Sequence, residues 1–388
     1  MKILFGGIIL SEMIYSTSEE KLLIQCSRLK HTKEQEEEIK QIISEGFNID
    51  KFIALAIRHK VLQLVGGHLI RLDENSQIHH RFKRLFQFFY LGNKEKNEFM
   101  YLEFKKILKA FHENKIKVIP LKGSLLIPQV YEDYGFRVLN DLDFLISPED
   151  KGRVTTALKK LGYCIGNYNW SNSEVVQISR KEELLWSLHA GNIHPHLKKF
   201  DNPYVRFIEI DFSYDVDLQK NYNASQGLLE KSLVQSIFNI PVSLLNPIDF
   251  LIHLCIHLYK EATNVQWVLL HADLNIIKFC DIREYILVKS ESLNWEILVH
   301  RAMDLGADKA LFYSFYYLDY IFGDDFFTKI KNHLNITDIS FLENFGELDY
   351  GGAAKWRKSF AERFFSMNNL DEIETTSKLE NLKKNYFN

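Results

Sequence analysis

The chain reads as α+β: a short α/β core set between two mostly helical regions. Three observations lead there. Pro occurs 7 times and Gly 18 times in 388 residues, too few breakers for a many-turned β-sandwich. Apolar residues recur at helical spacing over 17–115 and again after 225. Between those stretches the spacing changes to short β-branched or strictly alternating runs. The expected organisation is a helical region over 1–115, an α/β core over 116–225 and a second helical region over 226–388.

The elements follow in order. Ser18-Glu19-Glu20-Lys21 supplies a cap and an acidic first turn for a first helix. The run Glu34 to Lys40 is a charged, solvated helix face rather than an acidic binding site. Asn48-Ile49-Asp50 caps a helix expected over Lys51 to Arg71, and Phe82 to His112 is a long aromatic-rich helix. The period then changes. Ile116 to Leu121 is strand-like, Lys122-Gly123-Ser124 ends it, and Leu125 to Tyr134 reads as helix. Arg137 to Ile146 is a second strand, and Ser147-Pro148-Glu149-Asp150 has the cap, proline and acids of a helix start. That helix ends near Leu161-Gly162, Tyr163 to Arg180 suggests short strands, and Arg206 to Ser213 alternates strictly. Asn246-Pro247-Ile248-Asp249 opens a helix carrying His253 and His257, and helical periods continue over 273–288, 294–304 and 307–322.

Composition excludes several classes. Lys+Arg is 48 and Asp+Glu 51, a formal charge of −3, which weighs against a general nucleic-acid binder without forbidding a local basic patch. Hydrophobic residues at 46% and charged residues at 26% exclude wholesale disorder. Cys26, Cys164, Cys255 and Cys280 form no CxxC pair, so reduced thiols in a cytoplasmic protein are expected. The apolar run Ile3 to Leu10 is short and lacks a small-residue cleavage site, so export is not expected. No apolar run reaches the roughly 18–20 residues of a membrane helix.

The chemistry concentrates around Asp141-Leu142-Asp143. Alternate residues of a strand share a face, so both carboxylates point together while Leu142 and Phe144 point into a core. Adjacent carboxylates repel unless a cation lies between them. Upstream, Gly123-Ser124 sits between a strand and a helix, where backbone N–H groups and the Ser hydroxyl can hold phosphate oxygens. Downstream, Glu209 and Asp211 share one face of a strand whose other face is Ile208, Ile210 and Phe212. Acids on two neighbouring strands make a site for two Mg²⁺ ions chemically reasonable, one on a triphosphate and one on an acceptor hydroxyl. Lys122 and Arg137 are the nearest basic residues, a point charge and a fork for the phosphates.

These residues resemble the uncharacterised nucleotidyltransferase family of the polymerase-β-like superfamily, a type often found beside bacterial peptide and secondary-metabolite gene clusters. The resemblance rests on Leu121-Lys122-Gly123-Ser124, Tyr131, Arg137, Asn140 to Ile146, Ser147 to Asp150 and Leu161-Gly162-Tyr163. Ala56 to Val61, Pro247 to Asp249 with His253 and His257, and Asn294-Trp295-Glu296 extend it at the flanks. It implies a polymerase-β-like core, Mg²⁺ and an NTP, with Asp141 and Asp143 on the metal and Lys122, Gly123, Ser124 and Arg137 near the nucleotide. The family's third-acid strand usually reads acid, Leu, His, Trp, and here it reads Glu209-Ile210-Asp211-Phe212. By that alignment Glu209 is the third carboxylate and Asp211 replaces a His. Asp211 lies on the same face and competes for the role.

Other constellations are weaker. His189, His194 and His196 have no partner pair at zinc-ligand spacing and are expected in a loop near the site. His253 and His257 lack the Glu of HExxH and are core or acceptor-pocket residues. The order Lys122-Gly123 is wrong for a P-loop. The leading expectation is a Mg²⁺-dependent transfer of an NMP, AMP from ATP first, to a small-molecule or peptide acceptor with release of pyrophosphate. Two alternatives stand beside it: a non-catalytic partner protein retaining the fold, and a toxin-like enzyme acting on RNA.

Overall fold

In the computed structural model the described residues are 4–5, 8–9, 14–189, 192–215, 222–270, 272–346 and 354–370. They fall into two units. One comprises Met1–Phe86, Leu254–Leu287 and Asn294–Asn388, the other Gln87–His253 with Val288–Leu293. The architecture is mixed α/β, largely helical, with a mixed six-stranded sheet in the second unit.

The first unit is built on helices. Thr17 and Thr32 each form a capping box, over Ser18–Cys26 and Lys33–Glu45, satisfying backbone donors that a helix start leaves open. The helix expected over Lys51 to Arg71 is two helices, Ile49–Arg58 and Leu62–Leu72. Lys60 at φ 60° breaks it, in the left-handed turn that closes the first helix. The unit's polar interior holds an ion pair and a buried Arg–carbonyl hydrogen bond. Arg283 Nε lies 2.6 Å from Asp324 Oδ2, and Arg28 Nη2 donates to the Phe322 carbonyl at 2.6 Å. Val265, Val268, Leu269, Phe345 and Trp356 form one of its apolar clusters.

The second unit carries the sheet. Its strands are β1 (Val118–Pro120), β2 (Asp141–Ile146), β3 (Cys164–Asn169), β4 (Glu174–Gln177), β5 (Asn192–Lys199) and β6 (Phe207–Ser213). Their order across the sheet is β1-β2-β6-β5-β3-β4. The β2–β6 pair is parallel and the other neighbours are antiparallel. The parallel pair joins segments far apart in sequence, as a crossover connection requires. Period-two alternation sorts β6: Ile208, Ile210 and Phe212 are fully buried while Glu209 and Asp211 lie on the other face.

Two helices cover the buried face. Helix α1 (His80–Glu113) brings Phe104 and Phe111 against Phe144, with ring centroids 5.8 and 5.7 Å apart, and Phe144 stacks on Phe212 at 5.5 Å. After α2 (Gly123–Leu126), helix α3 (Lys151–Lys160) presents Thr155, whose Oγ1 is 3.2 Å from His196 Nε2.

Three local expectations need correction. The strand expected over Arg137 to Ile146 begins only at Asp141. Residues 137–140 lie outside the ladder, and Asn93 and Asn97 of α1 donate to the Arg137 carbonyl and to those of Tyr134 and Gly135 just before it, at 2.7–3.1 Å. The helix expected over Leu125 to Tyr134 is the single turn α2 followed by a wide π-helical turn, Ile127–Tyr131. Pro128 has no N–H to give an α-turn, and the segment closes with Glu132 N–H on the Ile127 carbonyl. Finally, His194-Pro195-His196 is not a loop but part of β5. A bulge between Ile193 and His196 accommodates the proline.

Candidate active site

Parallel pairing fixes the acid face. Asp141 stands opposite Glu209, and Asp143 opposite Asp211. Carboxylate oxygens of Asp141, Asp143 and Asp211 lie within 4.8 Å of one another, and among the described residues no other His, Cys, Asp or Glu residues form such a group. Glu209 shares the face but stays outside that group. The geometry therefore brings Asp211 to the two strand-β2 acids, where the family alignment points to Glu209.

The electrostatics are those of crowded acid. Burial raises the Asp211 carboxyl to about 8, with Asp143, Glu209 and Asp141 adding to it and Lys122 opposing. Burial likewise raises Asp143 to about 6, against the pull of Lys122. Glu209 is raised by burial and by Asp141 and Asp143. Burial works against the Lys122 ammonium, yet Asp143 and Asp141 outweigh it and hold its pKa above the ordinary lysine value. Burial dominates the three carboxyl shifts, and the neighbouring acids add to each of them.

Three basic side chains surround the acids. Lys122 Nζ sits 2.8 Å from Asp143 Oδ1. Its backbone has φ 49° and ψ −129° at the start of α2. Arg137 lies across Gly123: a Cβ there would run into Arg137 Nη1. The same Nη1 donates to the Val138 carbonyl at 3.0 Å. Lys96 is the residue that sequence reasoning missed. From α1 its Nζ reaches Asn140 Oδ1 at 3.0 Å, beside Asp141, and burial lowers its pKa to about 8 despite that acid. The same helix carries the polar series Tyr90, Asn93, Asn97 and Tyr101. Tyr90 holds Asp133 at 2.8 Å, the two Asn side chains hold the 134–137 carbonyls, and Tyr101 donates to the carbonyls of Gly123 and Ser124 at 3.3 and 3.0 Å.

The remaining expected residues are placed as follows. Gly123 gives Arg137 its room. Ser124 is 1% exposed, and its hydroxyl donates to the Leu121 carbonyl at 2.8 Å, so its proton is already used inside the turn. His196 faces Phe212 on the buried side of the sheet, 5.6 Å between centroids, and His194 lies beside Trp186 at 4.7 Å. Neither joins the acids. The side chain of His189 lies outside the described residues. His253 is buried, and His257 Nε2 is 3.4 Å from Glu261 Oε1 in the same helix, Pro247–Thr263.

The donor set suits a hard divalent cation. All three grouped ligands are carboxylate oxygens, with no thiolate or imidazole among them, a set that favours Mg²⁺ or Mn²⁺ over zinc or copper. The raised pKa values of Asp143 and Asp211 mean that their ionisation is opposed until positive charge arrives. Lys96, Lys122 and Arg137 add three positive charges on the rim, enough to hold a polyanion beside the acids.

No curated protein and no solved structure matches the chain. A family model does match, over residues 45–323, and it takes in β1, β2 and β6 with the acids, both lysines and Arg137. Acid-bearing parallel strands inside that span leave the assignment unambiguous: this chain belongs to the uncharacterised nucleotidyltransferase family and is a transferase of that kind.

Proposed function

We propose that this nucleotidyltransferase is Mg²⁺-dependent and moves the nucleoside monophosphate of an NTP, AMP from ATP first, onto a hydroxyl of a small-molecule or peptide acceptor. The observation that carries the reading is the group Asp141, Asp143 and Asp211 on adjacent parallel strands. On this reading the sheet is a polymerase-β-like core.

Asp141, Asp143 and Asp211 hold the divalent cation, which when bound supplies positive charge to the phosphates and to the attacking oxygen. Lys96 and Arg137 bind the triphosphate, with Lys122 beside them on Asp143. The acceptor oxygen forms a bond to the α-phosphorus, the bond from that phosphorus to the bridging oxygen breaks, and pyrophosphate leaves with the electron pair. Glu209, on the acid face but outside the group of three, takes the acceptor's proton. Burial and the neighbouring Asp141 and Asp143 raise its pKa, which strengthens it as a base. The rest of the rate enhancement is positioning and charge neutralisation.

The test is transfer itself. ATP labelled at the α-phosphate, Mg²⁺ and a panel of hydroxyl-bearing acceptors should give a labelled adduct and free pyrophosphate, and Asp143→Asn should lose the adduct. Equal labelling by the variant contradicts the metal assignment. Calorimetry covers the non-catalytic alternative: no ATP binding at any Mg²⁺ concentration favours it.

A further inference from the structure

Lys122 is a lysine where the backbone favours glycine. Its φ of 49° with ψ −129° lies in a region that glycine enters freely and a residue with a Cβ enters only under strain. The following residue is Gly123, so glycine stands next to the strained position and not at it. Such strain persists where the surrounding structure holds the side chain in place.

The side chain accounts for the holding. The ammonium is 2.8 Å from Asp143 Oδ1, with the side chain only 23% exposed. Asp141 and Asp211, grouped with Asp143, also act on it electrostatically. Those three acids and Glu209 make four carboxylates on one face of two strands. Two divalent ions would fully offset four ionised carboxylates. An ammonium already lying on Asp143 repels any second ion that would use the same oxygen, because like charges a few ångströms apart in a half-buried site are weakly screened.

We propose that Lys122 is a permanent cation of the acid cluster, occupying one of its two cation positions, so that the protein without nucleotide binds one divalent ion and not two. The inference rests on the metal-binding reading of Asp141, Asp143 and Asp211. It goes further by giving the site a fixed stoichiometry and naming the residue that sets it.

Binding of Mn²⁺ to the full chain, counted by electron paramagnetic resonance and calorimetry without nucleotide, tests it. The wild type and Lys122→Arg should bind one Mn²⁺ per chain, and Lys122→Met, checked for folding by circular dichroism, should bind two. Two ions on the wild type overturn the proposal regardless of how the variants fold. So does an unchanged count in a folded Lys122→Met, and in both cases the metal-binding reading survives. No Mn²⁺ on any of the proteins would overturn that reading along with the proposal.

Discussion

Asp211 and Glu209 sit two residues apart on one strand face, yet the register gives them different neighbours: Asp143 for one, Asp141 for the other. Asp211 alone joins the group of three. Asp211→Asn is therefore expected to weaken Mn²⁺ binding by about tenfold or more and to lower transfer with it, as loss of a direct ligand would. Glu209→Gln should keep Mn²⁺ binding and lose about 10²-fold in turnover, with the acidic limb of the pH profile altered, as loss of a general base would. The two variants compared by Mn²⁺ titration and pH–rate profile separate the roles. Lys96→Met should raise the nucleotide KM by about tenfold with little change in kcat, the scale of one charged hydrogen bond. The shared face of Asp141 and Asp143 was legible because strand period is local. The choice between Glu209 and Asp211 was not, because both satisfy the same alternation and only cross-strand register separates them. Lys96 was illegible because a lysine on an amphipathic helix reads as solvated surface until the loop it reaches is known.

At the scale of elements, α1 organises the site. Its polar side chains fix the 133–137 loop and the 123–124 turn, and so set where Arg137 and Lys122 lie. Two glycines test this packing in contrasting ways. A Cβ on Gly123 meets first the end of the flexible Arg137 side chain and, at 3.0 Å, the Leu139 methyl, so Gly123→Ala should cost about 1 kcal/mol while displacing Arg137 and weakening nucleotide binding. A Cβ on Gly166 meets the backbone carbonyl of Val176 in the paired strand, which cannot swing away. Gly166→Ala should therefore lower unfolding free energy by about 1–3 kcal/mol. Urea melts of both variants, with nucleotide binding measured on each, check the contrast. Strands β2 and β6 and helix α1 were legible from period and composition. The start of β2 and the π-helical turn were not, since both depend on which groups happen to satisfy particular backbone carbonyls and on one proline.

Over the whole molecule, buried histidines and crowded acids set opposite pH limits. Burial lowers His68 to about 3 and His196 to about 4, and drives His59 well below the usual imidazole value. A depressed folded pKa means stability that is present above about pH 6.5 and lost as pH falls toward the folded values, by up to about 1.4 kcal/mol per pH unit for each histidine. Asp143 and Asp211 are raised, so their contribution is full below the ordinary Asp range and is lost as pH rises through about 6 and about 8. Melting curves in divalent-free buffer should show stability falling on both sides of neutrality, and added Mg²⁺ should raise Tm more at pH 8 than at pH 6. The net charge of −3 hides this, because a sum over 388 residues carries no information about where the acids gather. Among the described residues no helix is long and apolar enough to cross a membrane. The most direct measurement is anomalous diffraction from crystals grown with Mn²⁺ and a non-hydrolysable ATP analogue. The account predicts a manganese peak in contact with oxygens of Asp141, Asp143 and Asp211, with the triphosphate beside Lys122 and Arg137. A triphosphate bound elsewhere, or no manganese on those three carboxylates, would contradict it.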